Sequence, residues 1–381
     1  MGQTGTAEVT KTGNAFAVKF NHKLTSIPGN VFSSPYSLRV ALGMCSAGAG
    51  GDTRKALCDV LGTPESTDEQ NTAFGKVVKE VNGDGSPREY DLTTANALWR
   101  DQTCKLNEQW KAAIAQYYGG DCNGVNFEEE AKKAIVIIND WVLGKTNGKI
   151  KNLVNDSIVN KETRLVLTNA IYFKGKWKSA FKKEVTINEP FMVSKDNSVQ
   201  APMMKQKSRY AYYEDEKIQA LDMPYKGDDL SMLVVLPQEK NGLTEIENIW
   251  SEDHYNTVVS HLHSEDVQVS LPKFKLETSY SLKPILGSMG LAICFSDAAD
   301  FSGISTTEKL KISEVVHKAF VAVDEEGTEA AAATAIGMMK MSTSMPARPK
   351  VFIADHPFMF FIRNRKTGTI LFSGHLANPS L

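Results

Sequence analysis

The sequence contains one close pair of histidines and no recognisable catalytic motif. His261 and His263 would share one face of a strand, where two imidazoles can begin a metal site. We find no cysteine or carboxylate cluster that would complete the ligand set, so a surface turn is the preferred interpretation. The G-x-S-x-G, P-loop, G-x-G-x-x-G and H-E-x-x-H patterns are absent. The sequence therefore predicts no catalytic residue, no metal and no cofactor.

A methionine-rich run near the C-terminus is a second candidate. Met338, Met339, Met341 and Met345 lie within eight residues. Thioethers bind soft metal ions, and flexible methionines also form adaptable protein-binding surfaces. From the residue types alone, a contact surface is the preferred interpretation.

The alanine-rich segment before these methionines, residues 325–336, permits two interpretations. Its four consecutive alanines have high helix propensity and favour an exposed helix. As a strand, the segment would place Thr328 and other small uncharged side chains on one face. Glu329 would lie on the opposite face. That pattern suits a strand that slides into a packed sheet, and Gly327 offers an unhindered hinge at its start. Periodicity alone does not choose between helix and strand.

Composition indicates a globular protein with enough apolar material for a large core. The 381 residues are 42% hydrophobic and 23% charged, with a net charge of −2. No linker divides the chain, so we interpret residues 1–381 as one domain. The charge argues against nucleic-acid binding, and residues 90–118 carry no Lys/Arg cluster for a glycosaminoglycan. No apolar run reaches the roughly 18 residues of a membrane span.

Cysteine usage and the N-terminus bear on the compartment. The five cysteines are scattered and predict neither a disulfide framework nor a zinc site. Residues 1–10 are polar and contain no apolar signal core. We therefore expect a cytoplasmic protein; the alternative is an extracellular protein whose signal peptide has been removed.

Hydrophobic periodicity predicts that helices dominate the first 150 residues and strands dominate the rest. Phe16, Phe20 and Leu24 form the apolar stripe of a helix that Asn14 would cap. Residues 63–90 are polar and predict a loop around one short helix. The predicted strands are Leu165–Phe173, Leu230–Leu236, Val267–Leu271, Lys311–Phe320, Phe358–Arg363 and Thr369–Phe372, the last two as a hairpin. The fold class is therefore α+β with large, mainly antiparallel sheets.

Several motifs together resemble the serpin superfamily. Residues 312–334 look like its hinge signature, and the matches run in family order over residues 12–378. The ending at residues 355–363 most resembles the ovalbumin-like, largely intracellular branch. The other motifs are Asn30 with Ser34-Pro35-Tyr36-Ser37, Gly48 to Thr53, Thr168 to Trp177, Leu271-Pro272-Lys273-Phe274 and Asp355 to Arg363.

The resemblance implies the serpin fold, with three β-sheets, eight or nine α-helices and an exposed reactive-centre loop at about residues 325–350. It also implies a monomer that is not an enzyme. A target serine protease would cleave the loop and be trapped as a covalent acyl-enzyme when the loop inserts into the central sheet. This hinge keeps the small residues that insertion needs, which predicts a working inhibitor.

The family's functional positions transfer residue by residue. Ser34, Ser37, Asn169 and His317 match the polar shutter beneath the point where the central strands part. Trp177 matches the tryptophan of the breach, where the loop enters the sheet. The hinge residues are Glu325, Gly327, Thr328, Ala330, Ala331, Ala332, Ala333 and Thr334.

The reactive bond follows from the family's spacing. Counting fourteen places from Gly327 leads to Met341, followed by Ser342. A long apolar side chain suits the pocket of a chymotrypsin-, elastase- or cathepsin G-like protease. Lys340, one residue earlier, would suit a trypsin-like pocket with its buried aspartate. Inhibition of a cysteine protease and a non-inhibitory binding role also stay open.

Overall fold

The computed structural model describes residues 2–83, 88–328 and 348–381, with side chains from Glu8 onward. Six of the α-helices in these residues precede Thr146, as the periodicity predicts. The α-helices of the described residues are α1 (Gly2–Leu24), α2 (Pro35–Ala47), α3 (Gly51–Leu61), α4 (Thr67–Asn82), α5 (Glu108–Ala113), α6 (Phe127–Lys145), α7 (Leu243–Ile249), α8 (Glu252–His261) and α9 (Lys283–Leu286).

Strands dominate the rest of the chain and confirm the predicted α+β class. The predicted hairpin near the C-terminus is confirmed by the antiparallel pairing of its two strands. The strands are β1 (Val31–Ser33), β2 (Tyr90–Asp101), β3 (Asp121–Val125), β4 (Leu165–Lys176), β5 (Ile187–Ser194), β6 (Asn197–Glu214), β7 (Ile218–Pro224), β8 (Leu230–Pro237), β9 (His263–Pro272), β10 (Phe274–Ser281), β11 (Glu314–Asp324), β12 (Gly327–Thr328), β13 (Lys350–Ile353), β14 (Phe358–Asn364) and β15 (Ile370–Leu376).

Hydrogen-bond pairing connects the described strands into two continuous sheets. The central sheet has the order β10-β11-β12-β4-β2-β3. The other has the order β1-β15-β14-β8-β7-β6-β9-β13, with β5 also paired to β6. The 18-residue β6 pairs with β7 near its end and with β5 and β9 before that, so one long strand joins two smaller sheets.

The central sheet is covered on both faces. On β4, Leu167 and Ile171 face the main core, which includes residues of α2. The alternate residues Val166 and Ala170 face a second apolar cluster that includes Ile138 of α6. Successive strand side chains point to opposite faces, so a nearly continuous apolar run such as β4 is expected where both faces are buried.

Two local predictions are wrong because tertiary contacts were not visible in the sequence. Asn14 lies inside α1 rather than at its start, and its amide donates to Gly368 O and accepts from Ile370 N, both at 2.9 Å. The helix in residues 63–90 is the 16-residue α4 rather than a short one. Its single apolar stripe is concealed by the polar composition and consists of Phe74, Val77, Val78 and Val81.

Candidate functional site

Two parallel strands of the central sheet, β4 and β11, separate at one end. Seven residue pairs join them directly, from Val166 opposite Glu314 to Tyr172 opposite Phe320. Beyond these pairs, β12 lies between the two strands and pairs antiparallel with both. We call this opening the breach. Thr328, the last described residue of this segment, therefore lies inside the sheet.

Gly327 makes the closest backbone approach in the breach. Its φ is +145°, a region that L-residues with side chains rarely adopt. A Cβ atom here would lie 2.1 Å from the carbonyl oxygen of Gly175 and 2.6 Å from the Cα of Lys176. Both are backbone atoms of β4, so no change of rotamer relieves the clash. Only glycine fits this position in this conformation.

Thr328 is fully buried beside an aromatic stack. Its hydroxyl lies 2.9 Å from the hydroxyl of Tyr225. The ring of Tyr225 stacks on Trp177 with a centroid separation of 4.7 Å and an interplanar angle of 9°. Because Thr328 lies at 0% exposure, a charged side chain in its place would have to be buried without a partner.

Trp177 connects β4 to the turn that leads out of β11. Its indole Nε1–H donates to Asp324 O at 2.9 Å, and its backbone N–H donates to Glu326 O at 2.8 Å. The predicted breach tryptophan therefore lies at the opening, where it holds the turn before Gly327.

An ion pair between the buried Glu325 and the half-buried Lys273 fixes the other side of this turn. The carboxylate of Glu325 accepts from Lys273 Nζ at 2.8 Å and from the hydroxyl of Thr186 at 2.9 Å. Burial alone would raise the pKa of Glu325, but these hydrogen bonds outweigh it and hold the pKa below its usual range. The side chain is only 5% exposed, so removing Lys273 would leave a buried carboxylate without its cation.

A row of polar side chains crosses the central sheet below the breach. The strand registers place Asn96 opposite Asn169, Asn169 opposite His317, and His317 opposite Tyr280. The side chains of Asn96, Asn169 and His317 are buried, and the ring of Tyr280 stacks on His317 at 6.3 Å. We call these four residues the polar row. It spans β2, β4, β11 and β10, and therefore both strands that border the breach.

The contacts of His317 fix its protonation state. Its Nε2 accepts from the backbone N–H of Ser34 at 3.0 Å, so this nitrogen carries no proton. Its Nδ1–H therefore donates to the amide oxygen of Asn169. Burial lowers the pKa of His317 from 6.5 to about 3. The imidazole is neutral near pH 7, with both nitrogens hydrogen-bonded.

Two serines join the polar row to α2. Ser34 is the N-cap of α2: its hydroxyl accepts from Ser37 N–H at 3.2 Å and donates to Leu371 O at 2.7 Å. Asn169 donates to the hydroxyl of Ser37 at 2.6 Å and also to the amide oxygen of Asn96. The structure thus brings the four predicted shutter residues into one hydrogen-bonded group.

Four residues of this site are absent from the sequence-based prediction of site residues. Asn96 and Tyr280 complete the polar row, Tyr225 contacts Thr328, and Lys273 pairs with Glu325. Asn96 could have been identified from the sequence, because a single amide side chain between Ala95 and Ala97 on a strand with two buried faces must have a hydrogen-bond partner. The other three depend on strand register, which residue types alone do not set.

The remaining candidates lie elsewhere. His261 and His263 are exposed, and His263 Nε2 lies 3.1 Å from Glu265. In the described parts of the chain, no three His, Cys, Asp or Glu side chains form a group that could hold a metal ion. None of the helices described above combines the length and hydropathy of a membrane span. The candidates outside the described residues are Ala330, Ala331, Ala332, Ala333, Thr334, Lys340, Met341 and Ser342.

Comparison with known proteins agrees with this geometry. The family model "Serpin (serine protease inhibitor)" matches residues 11–379. The chain belongs to the serpin family. It is similar to human leukocyte elastase inhibitor, with 40% identity over 92% of this chain and 93% of that protein. It is also similar to uncleaved ovalbumin, with a TM-score of 0.87 and 30% identity over 98% of this chain and all of that one.

These likenesses confirm the predicted serpin fold and its ovalbumin-like character. The same fold also includes proteins with other roles. The structure of human thyroxine-binding globulin complexed with thyroxine matches this serpin with a TM-score of 0.89 and 29% identity. It covers 98% of this chain and 99% of that one. Family membership therefore fixes the scaffold of this serpin more firmly than its target.

The first prediction concerns the polar row. We expect His317→Ala to leave Ser34 N–H and the amide oxygen of Asn169 without partners, at a cost of about 1–3 kcal/mol for each group. The weakened β4–β11 contact should promote polymerisation on warming, which size-exclusion chromatography detects. His263→Ala, at an exposed position, is the control. A His317→Ala protein that stays monomeric on warming and inhibits normally would contradict this role.

The second prediction concerns pH. The pKa of His317 lies below its unfolded value of 6.5, so the unfolded chain binds the extra proton as pH falls. The contribution of His317 to the free energy of unfolding is fully present above about pH 6.5. It is lost as the pH falls toward 3, at up to about 1.4 kcal/mol per pH unit. Urea unfolding between pH 7.5 and pH 5 should show a steeper decline for the wild type than for His317→Gln. Parallel curves would exclude His317 as the cause.

Proposed function

We propose that this serpin is an irreversible suicide-substrate inhibitor of a serine protease of the chymotrypsin fold. The observation that carries the proposal is β12, because Gly327 and Thr328 already occupy the first positions of a new strand between β4 and β11. Such a partial strand is the starting point that loop insertion requires. Below β12, β4 and β11 are directly paired, and insertion would separate them.

The register of β12 indicates how far insertion would run. Thr328 lies opposite Gly175 on β4, and the closed β4–β11 pairs end at Val166. An antiparallel strand that kept this register would need nine further residues, to Gly337, to reach Val166. The proposed reactive bond at Met341 lies just beyond that point, so cleavage there would release all the chain needed for insertion.

The same register explains the small face of the hinge. Thr328 faces the main core, so Ala330, Ala332 and Thr334 would face the core in turn. Thr334 would then lie between Asn169 and His317, whose direct hydrogen bond insertion must break. A hydroxyl can donate and accept, so Thr334 would satisfy both groups again. We infer that the polar row is rebuilt around the inserted loop.

The proposed chemistry is that of a protease arrested at its acyl-enzyme. The protease serine attacks the carbonyl carbon of Met341, the bond to Ser342 N breaks, and Ser342 becomes a new N-terminus. The Met341 carbonyl then forms an ester with the protease serine. Insertion carries this ester away from its original position and competes with hydrolysis by water. The inhibitor performs no turnover, which is why it needs no catalytic residue of its own.

Alternative functions predict different partners. Cleavage after Lys340 would indicate a trypsin-like target. The closely similar fold of thyroxine-binding globulin, solved as a complex with thyroxine, supports a non-inhibitory binding role as the alternative. Glycine at position 327 and a small residue at position 328 favour inhibition, because both fit the breach without strain. A cysteine protease target remains an outcome of the experiments below.

The proposal requires one macromolecular partner, the protease, held in a covalent complex. It involves no cofactor, nucleic acid, membrane or glycosaminoglycan. We propose that the chain acts as a monomer with a single domain over residues 1–381. All five cysteines are free thiols, which supports a cytoplasmic setting, with the extracellular one as the alternative.

The third prediction identifies the reactive bond. Incubation with chymotrypsin, elastase and trypsin separately should give a complex that survives a denaturing gel with the first or second protease. Mass spectrometry should find a released C-terminal peptide that starts at Ser342. A peptide that starts at Met341, with a trypsin complex, would assign Lys340 instead. In a fourth incubation, with papain, a complex that forms with papain and with none of the other three would assign a cysteine protease as the target.

Thr328→Arg is the matched control for trapping. The substitution buries a guanidinium at a position of 0% exposure, which should slow insertion but leave the reactive bond unchanged. We expect cleavage at the same bond, with most of the complex lost. A wild-type protein that is cleaved without forming any complex would refute inhibition and favour the binding role.

The fourth prediction tests the rebuilt polar row. Thr334→Val replaces the hydroxyl with a methyl group of similar size. The intact variant should melt within about one degree of the wild type, because in the intact protein Asn169 and His317 bond directly to each other. After cleavage in the loop, the variant should lose about 1–3 kcal/mol relative to cleaved wild type, seen as a lower melting midpoint. Thr343→Val is the control, since Thr343 lies beyond the inserted register. Equal midpoints for both cleaved variants would argue against the proposed contact.

A further inference from the structure

A cleft with no assigned role lies between α1, α3 and an irregular helical segment, Gly287–Leu291. We call it the α1–α3 cleft. Its volume is about 570 Å³, within the range of about 300–1,000 Å³ that small-molecule sites occupy. None of its lining residues belongs to the breach or the polar row, so its role is independent of the inhibitory mechanism.

The floor of the cleft is apolar. Ala56 and Val60 project into it from α3, and Met289 from the opposite segment. All three are half-buried and pack against the main core, so part of each side chain faces the open cleft. An aliphatic chain placed on this floor would remove apolar surface of both partners from water.

The backbone of the opposite wall keeps the cleft open. Gly290 has φ +114° and interrupts the helical segment. A Cβ atom at Gly290 would reach to 3.4 Å from Cγ2 of Val60 and would narrow the cleft over its floor. The absence of a side chain at Gly290 therefore preserves access to Val60. Irregular helical turns of this kind often occur at functional sites.

The rim of the cleft is cationic. Lys19 and Lys23 are exposed, lie one turn apart on α1 and both line the cleft. Among the described residues, neither has an ion-pair partner. Asp59 also lines the cleft, but its carboxylate is already paired with Lys55 at 2.7 Å. The His22 imidazole lies between the lysines in sequence and adds a third nitrogen-bearing side chain. An anion at this rim would meet two uncompensated ammonium groups.

We propose that the α1–α3 cleft binds the anion of a medium-chain fatty acid. The aliphatic tail would lie on Ala56, Val60 and Met289, and the carboxylate would lie between Lys19 and Lys23. An apolar floor together with a cationic rim selects this class over two others. A neutral lipid would leave the lysines unpaired, and a simple anion would leave the floor exposed to water.

The test is calorimetric titration of the full chain with sodium hexanoate, octanoate and decanoate, each below its micellar concentration. We expect one saturable site, with an affinity that rises about twofold to fourfold per methylene according to how much of each is buried. Nonyltrimethylammonium has the same nine-carbon alkyl chain as decanoate and the opposite charge, and should bind at least tenfold more weakly. Equal binding of both surfactants, or no saturation with decanoate, would overturn the proposal.

Two variants assign the site. Lys19→Glu with Lys23→Glu should weaken decanoate binding at least tenfold, whereas Lys11→Glu with Lys132→Glu makes the same charge change at exposed positions elsewhere and should not. Ala56→Met fills the floor without altering charge and should also abolish binding. Decanoate affinity that is unchanged in the Lys19→Glu/Lys23→Glu protein would refute the site, whatever the Ala56→Met protein does.

Discussion

The rest of the structure depends on the direct contact between the parallel strands β4 and β11. Each has an antiparallel neighbour on its other side, β2 for β4 and β10 for β11. Parallel pairs are slightly less stable per residue than antiparallel ones. A strand antiparallel to both can therefore replace the seven direct pairs with two ladders of the more stable kind. β12 already pairs antiparallel with both strands at one end, and the proposed insertion would extend this arrangement by separating β4 from β11.

The polar row determines how that separation can occur. A sheet buried between the main core and α6 would normally hold apolar side chains at every inward position. Here Asn96, Asn169 and His317 are buried instead, and their hydrogen bonds link three strands to the start of α2. A buried network is stable when all its members are bonded and costly when some are not. Partial separation of β4 from β11 is thus unfavourable, while complete separation followed by a new hydrogen-bonding strand is not.

The sequence predicts the elements of this site better than their contacts. The strands Leu165–Phe173 and Phe358–Arg363 could be predicted because long apolar runs with turn residues at their ends show directly in the chain. Motif resemblance located Ser34, Asn169 and His317, but residue types could not show that Asn96 and Tyr280 extend the row on both sides, because neighbours in a sheet are set by register. Asn14 shows the same limit: its amide serves a loop 354 residues away rather than its own helix.

At the start of residues 325–336, the free energies of helix propensity and of strand pairing can be compared directly. Intrinsic helix preferences differ by less than about 1 kcal/mol per residue among residues other than proline. A residue between two strands can form backbone hydrogen bonds on both sides, each worth about 0.5–1.5 kcal/mol net, and gains burial in addition. Thr328 adopts the strand conformation. It pairs with β4 and β11, and its hydroxyl contacts the hydroxyl of Tyr225. For Ala330 to Ala333, separation of β4 from β11 would offer each residue this larger gain, so the strand interpretation is the one that the proposed insertion favours.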